Sequence, residues 1–277
     1  MTKKALCIGI NNYPGTHMDL QGCVNDALDW ASELDRRGFK VVTLLDDQAT
    51  KAMMAEAMSK LIAKGSKGDT LVITFSGHGT YQPDSDGDEA DGLDEALCPY
   101  DLQTKGAALI DDEIRDIFAA RKAGVRIVLL SDSCHSGTVT RAAKAETGAD
   151  TRPRFMPMGN WLPEMLLPTN RAGKPATTMN GPQGSTPLLA AYSNKLGDLL
   201  LAGCKEGPNN YSYDAKINGR FNGAFTYYAL KALKGMKAGA TYADWHKAIG
   251  KYLPSASYPQ VPQLVGSTAA RKGLIFE

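Results

Sequence analysis

The chain has 277 residues, of which 43% are hydrophobic and 22% are charged, and its formal net charge at pH 7 is +1. This composition is ordinary for a globular protein, and the length is enough to bury a substantial core in one large α/β domain or two smaller ones. A net charge so close to zero creates no field that would attract nucleic acid or an anionic membrane, so neither is expected as a partner. The five cysteines have no paired spacing, which argues against a disulfide framework or a zinc knuckle.

No targeting or membrane-spanning segment is apparent in the sequence. The apolar run at residues 5–10 is far shorter than a spanning helix and lacks the profile of a signal peptide. Because the cysteines are unpaired as well, a reducing cytoplasm is the expected compartment. The same run predicts a first β-strand, which ends at a turn-forming cluster, residues 11–15.

Strand and helix patterns alternate along the first half of the chain. Residues 19–38 carry apolar side chains at helical spacing, and residues 40–45 form a short β-branched run. A helix is expected at 50–64, a third strand begins at 69–70, and another helix runs over 111–123. The second half predicts strands at 187–193 and 199–203 and helices at 222–234 and 242–253. This alternation predicts an α/β fold with a mostly parallel central sheet and helices on both faces.

Two apolar strands end in small-residue turns, and each turn carries a reactive side chain. Residues 70–80 (TLVITFSGHGT) present His78, and residues 126–138 (RIVLLSDSCHSGT) present Cys134. Because ligands bind at the carboxyl ends of parallel strands, the two side chains are expected to meet at one edge of the sheet. A thiol and an imidazole are the minimum for nucleophilic catalysis by cysteine. Glycines beside the histidine, including Gly79, let backbone N–H groups approach a substrate as an oxyanion hole requires.

Structural roles are the alternative for both residues, since free cysteines and histidines are often simply buried. The matched strand-to-glycine contexts favour the catalytic interpretation. His135 directly follows the nucleophile, and in an extended backbone it would point away from Cys134, so it is not expected to be the base. Zinc held by Cys134, His135 and His78 is a further alternative, but no fourth ligand stands at metal spacing.

The segments around these residues resemble the type I metacaspases and their bacterial relatives, within the caspase-like cysteine peptidases. The resemblance is carried first by SGHGT at 76–80 and DSCHSGT at 132–138. Further matching segments are GINNY at 9–13, LQGCVNDA at 20–27, IDDE at 110–113, LAGCK at 201–205 and NGAFT at 222–226. The resemblance implies one domain of the caspase-like fold over residues 1–277, with a large-subunit-like region at 1–138 and a small-subunit-like region at 187–277.

The resemblance also implies a cysteine endopeptidase that cleaves protein or peptide substrates after Arg or Lys. His78 would be the acid and base, Cys134 the nucleophile, and the N–H groups of Gly79 and Cys134 the oxyanion donors. The family is usually monomeric, and the chemistry needs no cofactor. Two other functions stay open: a catalytically silent scaffold that binds peptides in the same cleft, and a calcium-binding regulatory protein.

Three polar residues are expected to line the pocket for the basic side chain, and a fourth is expected to border the substrate cleft. Because side chains alternate along a strand, Asp132 should point the same way as the cysteine two residues later, and Ser76 the same way as the histidine. A carboxylate there would attract a cationic substrate side chain and repel an acidic one. By resemblance, Asp26 lines the same pocket and Asp214 borders the substrate cleft. The alternatives are a helix-dipole role for Asp26 and a surface turn for Asp214.

The stretch 84–95 is dense in carboxylates, and a solvated loop is one interpretation. Several of its acidic residues match the ligand positions of a calcium-binding loop, but a glutamate stands where that loop needs glycine. By resemblance, the run is associated with calcium activation, which makes Asp94, Asp111 and Asp112 candidate ligands. The family often has an acidic residue seven positions after the catalytic cysteine, where this chain has Arg141, so calcium activation stays an open alternative.

Residues 139–186 interrupt the pattern with prolines, scattered basic residues and little periodicity. They predict a long, mobile loop or insertion, where the large- and small-subunit regions of caspase-like enzymes meet. An enzyme that prefers basic residues would find accessible targets for self-cleavage at Arg141, Lys144, Arg152, Arg154, Arg171 and Lys174. Basic residues are also common in any exposed loop, and the sequence selects no single bond.

Overall fold

The structure is a computed structural model that describes residues 2–84, 93–134, 150–167, 198–205 and 210–277. The described strands are β1 (Lys3–Gly9), β2 (Lys40–Leu45), β3 (Thr70–Ser76), β4 (Gly79–Pro83), β5 (Leu93–Leu97), β6 (Leu109–Ile110), β7 (Arg126–Asp132), β8 (Thr151–Pro153), β9 (Leu199–Ala202), β10 (Tyr213–Ile217), β11 (Arg220–Gly223) and β12 (Gln263–Gly266). The described helices are α1 (Cys23–Arg36), α2 (Lys51–Ala63), α3 (Leu102–Lys105), α4 (Asp111–Ala119), α5 (Ala224–Lys234), α6 (Tyr242–Ile249) and α7 (Thr268–Arg271).

A six-stranded sheet in the order β12-β9-β7-β3-β1-β2 forms the centre of the molecule. Its neighbouring strands pair in parallel from β2 to β9, and only β12 is antiparallel to its neighbour β9. The mostly parallel sheet expected from the alternating strand and helix patterns is therefore confirmed.

The sheet separates two apolar layers. Alternate residues of β1 face opposite sides, so that Leu6 and Ile8 lie in one buried cluster and Ala5 and Cys7 in the other. Helices α2 and α4 cover the first face, and α1, α5 and α6 cover the second. The predicted arrangement of helices on both faces is confirmed.

Most predicted helices differ from the observed ones only at their ends. The helix expected at 19–38 is α1, which begins at Cys23, and the helix expected at 50–64 is α2, which Thr50 caps by accepting from the Met53 N–H. Among the helices that the structure describes, none is long and apolar enough to cross a membrane.

β3 and β7 end level with each other at the carboxyl edge of the sheet. Their register pairs Ser76 with Asp132, the last residue of each strand. His78 and Cys134 each follow two residues later. The topology therefore brings both reactive residues to the same edge, as expected.

Two small antiparallel sheets that the sequence patterns did not predict flank this edge. Strands β4, β5 and β6 form one of them, and β4 begins at Gly79, directly after His78. Strands β8, β10 and β11 form the other. The β10–β11 hairpin turns at Asn218 and Gly219, whose φ angles are +52° and +85°. Asn-Gly is the preferred pair for such a turn, and it is the sequence signal that would have predicted this hairpin.

The predicted loop at 139–186 is described only at residues 150–167. This part contains β8, and the side chains of Phe155 and Met158 are at most 1% exposed. The expectation of an exposed loop is wrong for Phe155 and Met158, because their apolar side chains anchor them in the core, whereas Met165 and Leu166 are exposed. Residues 139–149 and 168–186, and the strand expected at 187–193, lie outside the described residues.

Candidate active site

His78 follows β3 and is held in one orientation by the fold. Its backbone N–H donates to the hydroxyl of Tyr13 at 2.8 Å, and the two ring centroids lie 4.9 Å apart. The ring Nε2 lies 2.6 Å from the Met18 carbonyl oxygen, so Nε2 carries the proton and Nδ1 presents a lone pair. Nδ1 is buried and hydrogen-bonds no group among the described residues. The Met18 backbone thus selects the tautomer in which Nδ1 is a base.

Burial lowers the pKa of His78 to about 4. The hydrogen bond to the Met18 carbonyl and the charge of Asp214 act in the opposite direction, but they do not offset the loss of solvent. The imidazole is therefore neutral at physiological pH, and this is the form in which Nδ1 accepts a proton from a thiol.

Cys134 lies two residues beyond the end of β7 and is fully buried. Its Sγ accepts a hydrogen bond from the Ser212 backbone N–H and lies 3.2 Å from the Sγ of Cys204. The thiol is thus turned toward Ser212 and Cys204 in this structure. The fold brings His78 and Cys134 to one edge, but their side chains are not hydrogen-bonded to each other here.

The carbonyl group of Arg154 lies between these two residues. Its oxygen accepts hydrogen bonds from the backbone N–H groups of Gly79 at 3.1 Å and Cys134 at 3.2 Å. These are the two groups expected as oxyanion donors. Arg154 also donates its own N–H to the Ser212 carbonyl at 2.8 Å. Its backbone is therefore held by hydrogen bonds at both its N–H and its carbonyl group beside the nucleophile, as the backbone of a bound peptide is.

The guanidinium of Arg154 is fully buried in an acidic pocket. Its Nη2 lies 2.7 Å from Asp26 and 3.0 Å from Asp214, and its Nη1 lies 3.3 Å from Asp132. Nη1 also donates to the Ser76 hydroxyl at 3.3 Å. The structure thus brings together the three residues that the sequence suggested for the pocket of a basic side chain, and it adds Asp214, which was expected only to border the cleft. The four residues come from four separate segments.

The fold holds each carboxylate of this pocket with donors of its own. The donors, all at 2.8 to 3.0 Å, are the Gly223 N–H and Asn222 Nδ2 for Asp26, the Gln21 and Gly22 N–H groups for Asp214, and the N–H and Oγ1 of Thr226 for Asp132. Donors that favour the charged form keep the carboxylates oriented whether or not a cation is bound. Sequence reasoning missed these donors, which lie inside segments that carry the family resemblance.

The pocket holds more negative than positive charge. Burial and the charge of Asp132 raise the pKa of Asp26 to about 6, against the opposing effect of Arg154. Burial alone would lower the pKa of Arg154, but the surrounding carboxylates raise it well above its ordinary value. Three carboxylates thus surround one guanidinium, and the buried cation and anions are paired with each other.

Gly223 leaves the space that the guanidinium occupies. A Cβ atom built at this position would overlap both the Arg154 guanidinium and the Asp132 carboxylate. Any larger residue would therefore displace the cation or the carboxylate that holds it. The glycine in the segment NGAFT thus has a steric function in the pocket.

The candidate self-cleavage residues have different positions in the structure. Arg154 was expected to be accessible, which is wrong, because its side chain is 0% exposed. Arg152 is exposed on β8 and donates to the Asp19 carbonyl at 2.7 Å. The other basic residues of this set, and His135, lie outside the described residues: Arg141, Lys144, Arg171 and Lys174.

The three candidate calcium ligands lie on β5 and at the start of α4. The β5–β6 pairing of Ala96 with Ile110 places Asp94 on the strand next to the one that leads into Asp111 and Asp112. Asp112 forms an ion pair with Arg115 at 2.5 Å, and Asp94 accepts from Gln82 at 3.5 Å. Within the described parts of the chain, which leave out most of the acidic run, no three acidic, His or Cys side chains form a metal site.

Backbone donors that hold a peptide carbonyl beside a thiol and a neutral imidazole meet the requirements of acyl transfer by a cysteine peptidase. The mostly parallel sheet that presents them, with helices on both faces, places the protein in the caspase-like class of such peptidases.

Comparison with known proteins identifies the family within that class. A family model described as "Metacaspase, peptidase C14 domain" matches residues 3–142. Metacaspase-1 of Scheffersomyces stipitis is 32% identical over 291 residues, which cover 95% of this chain and 70% of that protein. The crystal structure of GSU0716 from Geobacter sulfurreducens matches with a TM-score of 0.72 at 31% identity, over 100% of this chain and 98% of that one. The chain therefore belongs to the metacaspase family.

Other relatives are longer than this chain. Metacaspase-7 of Arabidopsis thaliana is 42% identical over 161 residues, which cover 54% of this chain but only 39% of that protein. The match to Metacaspase-1 of Saccharomyces cerevisiae likewise covers 34% of the relative. The chain thus spans well under half the length of several relatives that it matches.

Proposed function

We propose that this chain is a cysteine endopeptidase that cleaves after Arg or Lys, with His78 and Cys134 as its catalytic dyad. The observation that carries the proposal is the position of Arg154. Its carbonyl oxygen accepts from the two N–H groups of Gly79 and Cys134, while its guanidinium lies among three carboxylates. A residue placed in this way occupies the position directly before a scissile bond.

The proposed reaction begins with transfer of the Cys134 thiol proton to Nδ1 of His78. The thiol contacts Cys204 and Ser212 in the resting structure, so the cysteine side chain has to turn toward the imidazole first. The thiolate then attacks the carbonyl carbon of the bound basic residue. The N–H groups of Gly79 and Cys134 stabilise the resulting oxyanion, because they already point at this oxygen.

Collapse of the intermediate releases the amine, which takes the proton from His78. A thioester between Cys134 and the basic residue remains, and a water molecule activated by His78 hydrolyses it. The hydrogen bond from Nε2 to the Met18 carbonyl keeps the ring in the required orientation throughout. No step of this mechanism uses a metal ion.

Specificity for a basic residue follows from the charge of the pocket. The two terminal nitrogens of an Arg side chain pair with different carboxylates of the pocket at the same time. A Lys side chain carries the same charge on a single ammonium group, which cannot span the carboxylates in this way. We therefore expect cleavage after Arg to be faster than after Lys. An acidic residue would place a fourth negative charge among three buried carboxylates, so we expect no cleavage after Asp.

The same geometry supports self-processing at the Arg154–Phe155 bond. Arg154 fills the site that a separate substrate would use, and it comes from the same chain as every described group around it. The bond is thus aligned for an intramolecular reaction. Because the described site is complete within one chain, it also supports a monomeric enzyme.

Calcium stimulation is the part of the proposal that rests on family resemblance. The described residues do not by themselves form a calcium site, and the acidic run lies mostly outside them. Peptidase activity measured in calcium and in EGTA tests this part directly. A rise in activity with calcium that Asp112→Asn removes would support it, and equal activity in both would contradict it.

The proposal is tested with fluorogenic peptides that end in Arg, Lys or Asp before the reporter group. The intact chain should cleave the Arg and Lys peptides and leave the Asp peptide uncut, and Cys134→Ala should abolish all cleavage. Cys7→Ala is the matched control, because Cys7 is also a fully buried cysteine but lies in β1, in a different apolar cluster from Cys134. No turnover by the folded, reduced chain would contradict the proposal and favour a silent scaffold.

A further inference from the structure

The residue after Arg154 lies on a second surface, outside the acidic pocket. Phe155 is fully buried, and its ring stacks on Tyr81 with centroids 5.6 Å apart and planes inclined by 28°. Tyr81 belongs to β4, the strand that begins at the oxyanion donor Gly79. One strand therefore supplies both an oxyanion donor and the wall that receives the residue after the scissile bond.

Backbone hydrogen bonds fix the register of the chain beyond the bond. The Met156 N–H donates to the Gly79 carbonyl at 2.8 Å, and the Thr80 hydroxyl donates to the Met156 carbonyl at 2.7 Å. Trp161 in turn donates its Nε1–H to the Thr80 hydroxyl at 3.2 Å. With the backbone held on both sides of it, the side chain at position 155 is directed at Tyr81.

The buried cluster that contains Phe155 is made of apolar side chains. Leu93, Met158 and Leu167 lie in the same buried cluster as Tyr81 and Phe155. A large apolar side chain gains by leaving water for this surface, whereas a charged one would lose its hydration. The surface thus differs in chemistry from the acidic pocket on the other side of the bond.

We propose that this surface is a subsite that selects an aromatic or large aliphatic residue directly after the basic one. The inference rests on the proposed function, since it assigns substrate preference to the same active site. It narrows the substrate class from any bond after Arg or Lys to bonds such as Arg–Phe, Arg–Leu and Arg–Met.

The test uses internally quenched peptides that are identical except for the residue after Arg, which is Phe, Leu, Gly or Asp. We expect kcat/KM to fall from Phe through Leu to Gly by about tenfold or more, with Asp lowest. Equal kcat/KM across the series would overturn the subsite and leave the proposed function standing. Cleavage of none of these peptides would overturn both.

Substitutions of Tyr81 test whether this residue causes the preference for Phe over Gly after the scissile bond. Tyr81→Phe keeps the stacking surface and should keep the Phe-to-Gly ratio, whereas Tyr81→Leu should reduce the ratio severalfold while leaving the preference for Arg unchanged. Tyr252→Leu is the matched control, because it removes a comparable ring stack, on Tyr228 at 5.4 Å, elsewhere in the molecule. An unchanged ratio in the folded Tyr81→Leu variant would overturn the assignment.

A second inference rests on a different observation, the 3.2 Å separation of the Cys134 and Cys204 sulfur atoms. β7 and β9 are adjacent parallel strands whose register pairs Ser131 with Ala202. Each cysteine follows its strand by two residues, so the topology itself places the two thiols side by side. A disulfide needs the sulfur atoms only about 1 Å closer than they are.

We infer that Cys204 is a resolving thiol, which forms a disulfide with Cys134 when a peroxide oxidises the enzyme. The Cys134 thiolate attacks one peroxide oxygen, which leaves a sulfenic acid and releases water. The Cys204 sulfur then attacks the sulfenic sulfur, the S–S bond forms, and a second water leaves. Two thiols and one hydrogen peroxide thus yield one disulfide and two waters, and the nucleophile is blocked reversibly.

The test treats the reduced chain with hydrogen peroxide and maps its cysteines by mass spectrometry. We expect a Cys134–Cys204 linked peptide that dithiothreitol removes. In Cys204→Ser, Cys134 should instead proceed to the sulfinic acid, which dithiothreitol does not reverse. Cys98→Ser is the matched control and should still form the linked peptide. The inference would be overturned if no linked peptide formed and dithiothreitol reversed the oxidation of Cys134 equally in wild type and in Cys204→Ser.

Discussion

The two sides of the Arg154 carbonyl are built from different chemistry. On one side, three carboxylates surround the guanidinium through directed, charged contacts. On the other, Phe155 lies on Tyr81 through apolar contact alone. Sites that pair buried polar groups reject a wrong ligand by about 10⁴-fold or more, whereas apolar pockets discriminate by about 10- to 200-fold. We therefore expect the acidic pocket to select strictly for the residue before the scissile bond, and the apolar surface to select only gradually among residues after it.

The largest effect is expected when the cation itself is removed. Arg154→Gln keeps a polar side chain of similar reach but leaves three buried carboxylates without a counter-charge. We expect self-cleavage at residue 154 to slow by about 10³-fold or more, while Arg154→Lys retains it at a rate reduced about tenfold. Fragment formation followed by gel and intact mass checks this. If Arg154→Gln were cut at this bond at the wild-type rate, the positive charge of residue 154 would not be needed for cleavage.

The next largest effect is expected from a single carboxylate of the pocket. Asp132→Asn keeps the size of the side chain and removes one charge beside the guanidinium. We expect kcat/KM for peptides ending in Arg to fall about 10²- to 10³-fold, the range for losing one partner of a buried ion pair. Asp116→Asn is the control, since that side chain is 83% exposed and lies outside the pocket. Equal losses in both variants would show that the pocket does not select by charge.

A smaller effect is expected from pH on the stability of the fold, and it comes from the acidic pocket. The folded-state pKa of Asp26 is raised to about 6 by burial, above its ordinary 3.8. The folded chain therefore binds this proton more tightly than the unfolded chain does. The resulting stability is fully present below about pH 4 and is lost as pH rises through about 6, by up to about 3 kcal/mol.

Denaturant unfolding of the uncleaved Cys134→Ala chain between pH 4 and 7 measures this dependence. The lowered pKa of His78, about 4, opposes this dependence over the same interval, because the unfolded chain binds that proton more tightly. Adding Asp26→Asn should therefore leave a curve in which stability rises with pH more steeply than in the parent chain, because the amide does not titrate. A curve of unchanged shape would mean that another group titrates there.

The smallest effect is expected on the apolar side. Phe155→Leu preserves most of the buried apolar surface, so self-cleavage should slow by less than about tenfold. Phe155→Gly removes the ring and should slow it further, but by far less than Arg154→Gln does. Timed fragment formation compares the three variants. A loss in Phe155→Leu as large as that in Arg154→Gln would erase the contrast between the two sides.

The sequence allowed the central sheet and both reactive strand ends to be predicted, because these depend on local patterns. The runs ending at His78 and Cys134 are short, apolar and closed by glycine turns, and the structure has strands there. The flanking hairpins were missed because their strands are short and partly polar. Only the Asn218-Gly219 pair carried a signal for one of them.

Contacts between distant segments could not be predicted. The Met18 carbonyl that orients His78 is 60 residues away along the chain, and Arg154 meets Asp26 across 128 residues. Arg154 was one basic residue among six in a stretch interpreted as a loop. The apolar residues that follow it, from Phe155 to Trp161, are the signal that this part of the stretch is anchored.

The most direct measurement is the intact mass of the purified, reduced chain over time at neutral pH, beside Cys134→Ala. We predict that wild type separates into two fragments ending at Arg154 and beginning at Phe155, at a rate independent of protein concentration, while Cys134→Ala stays whole. A wild-type chain that remains intact, or that is cut elsewhere, would contradict the assignment of Arg154 as the residue before the scissile bond.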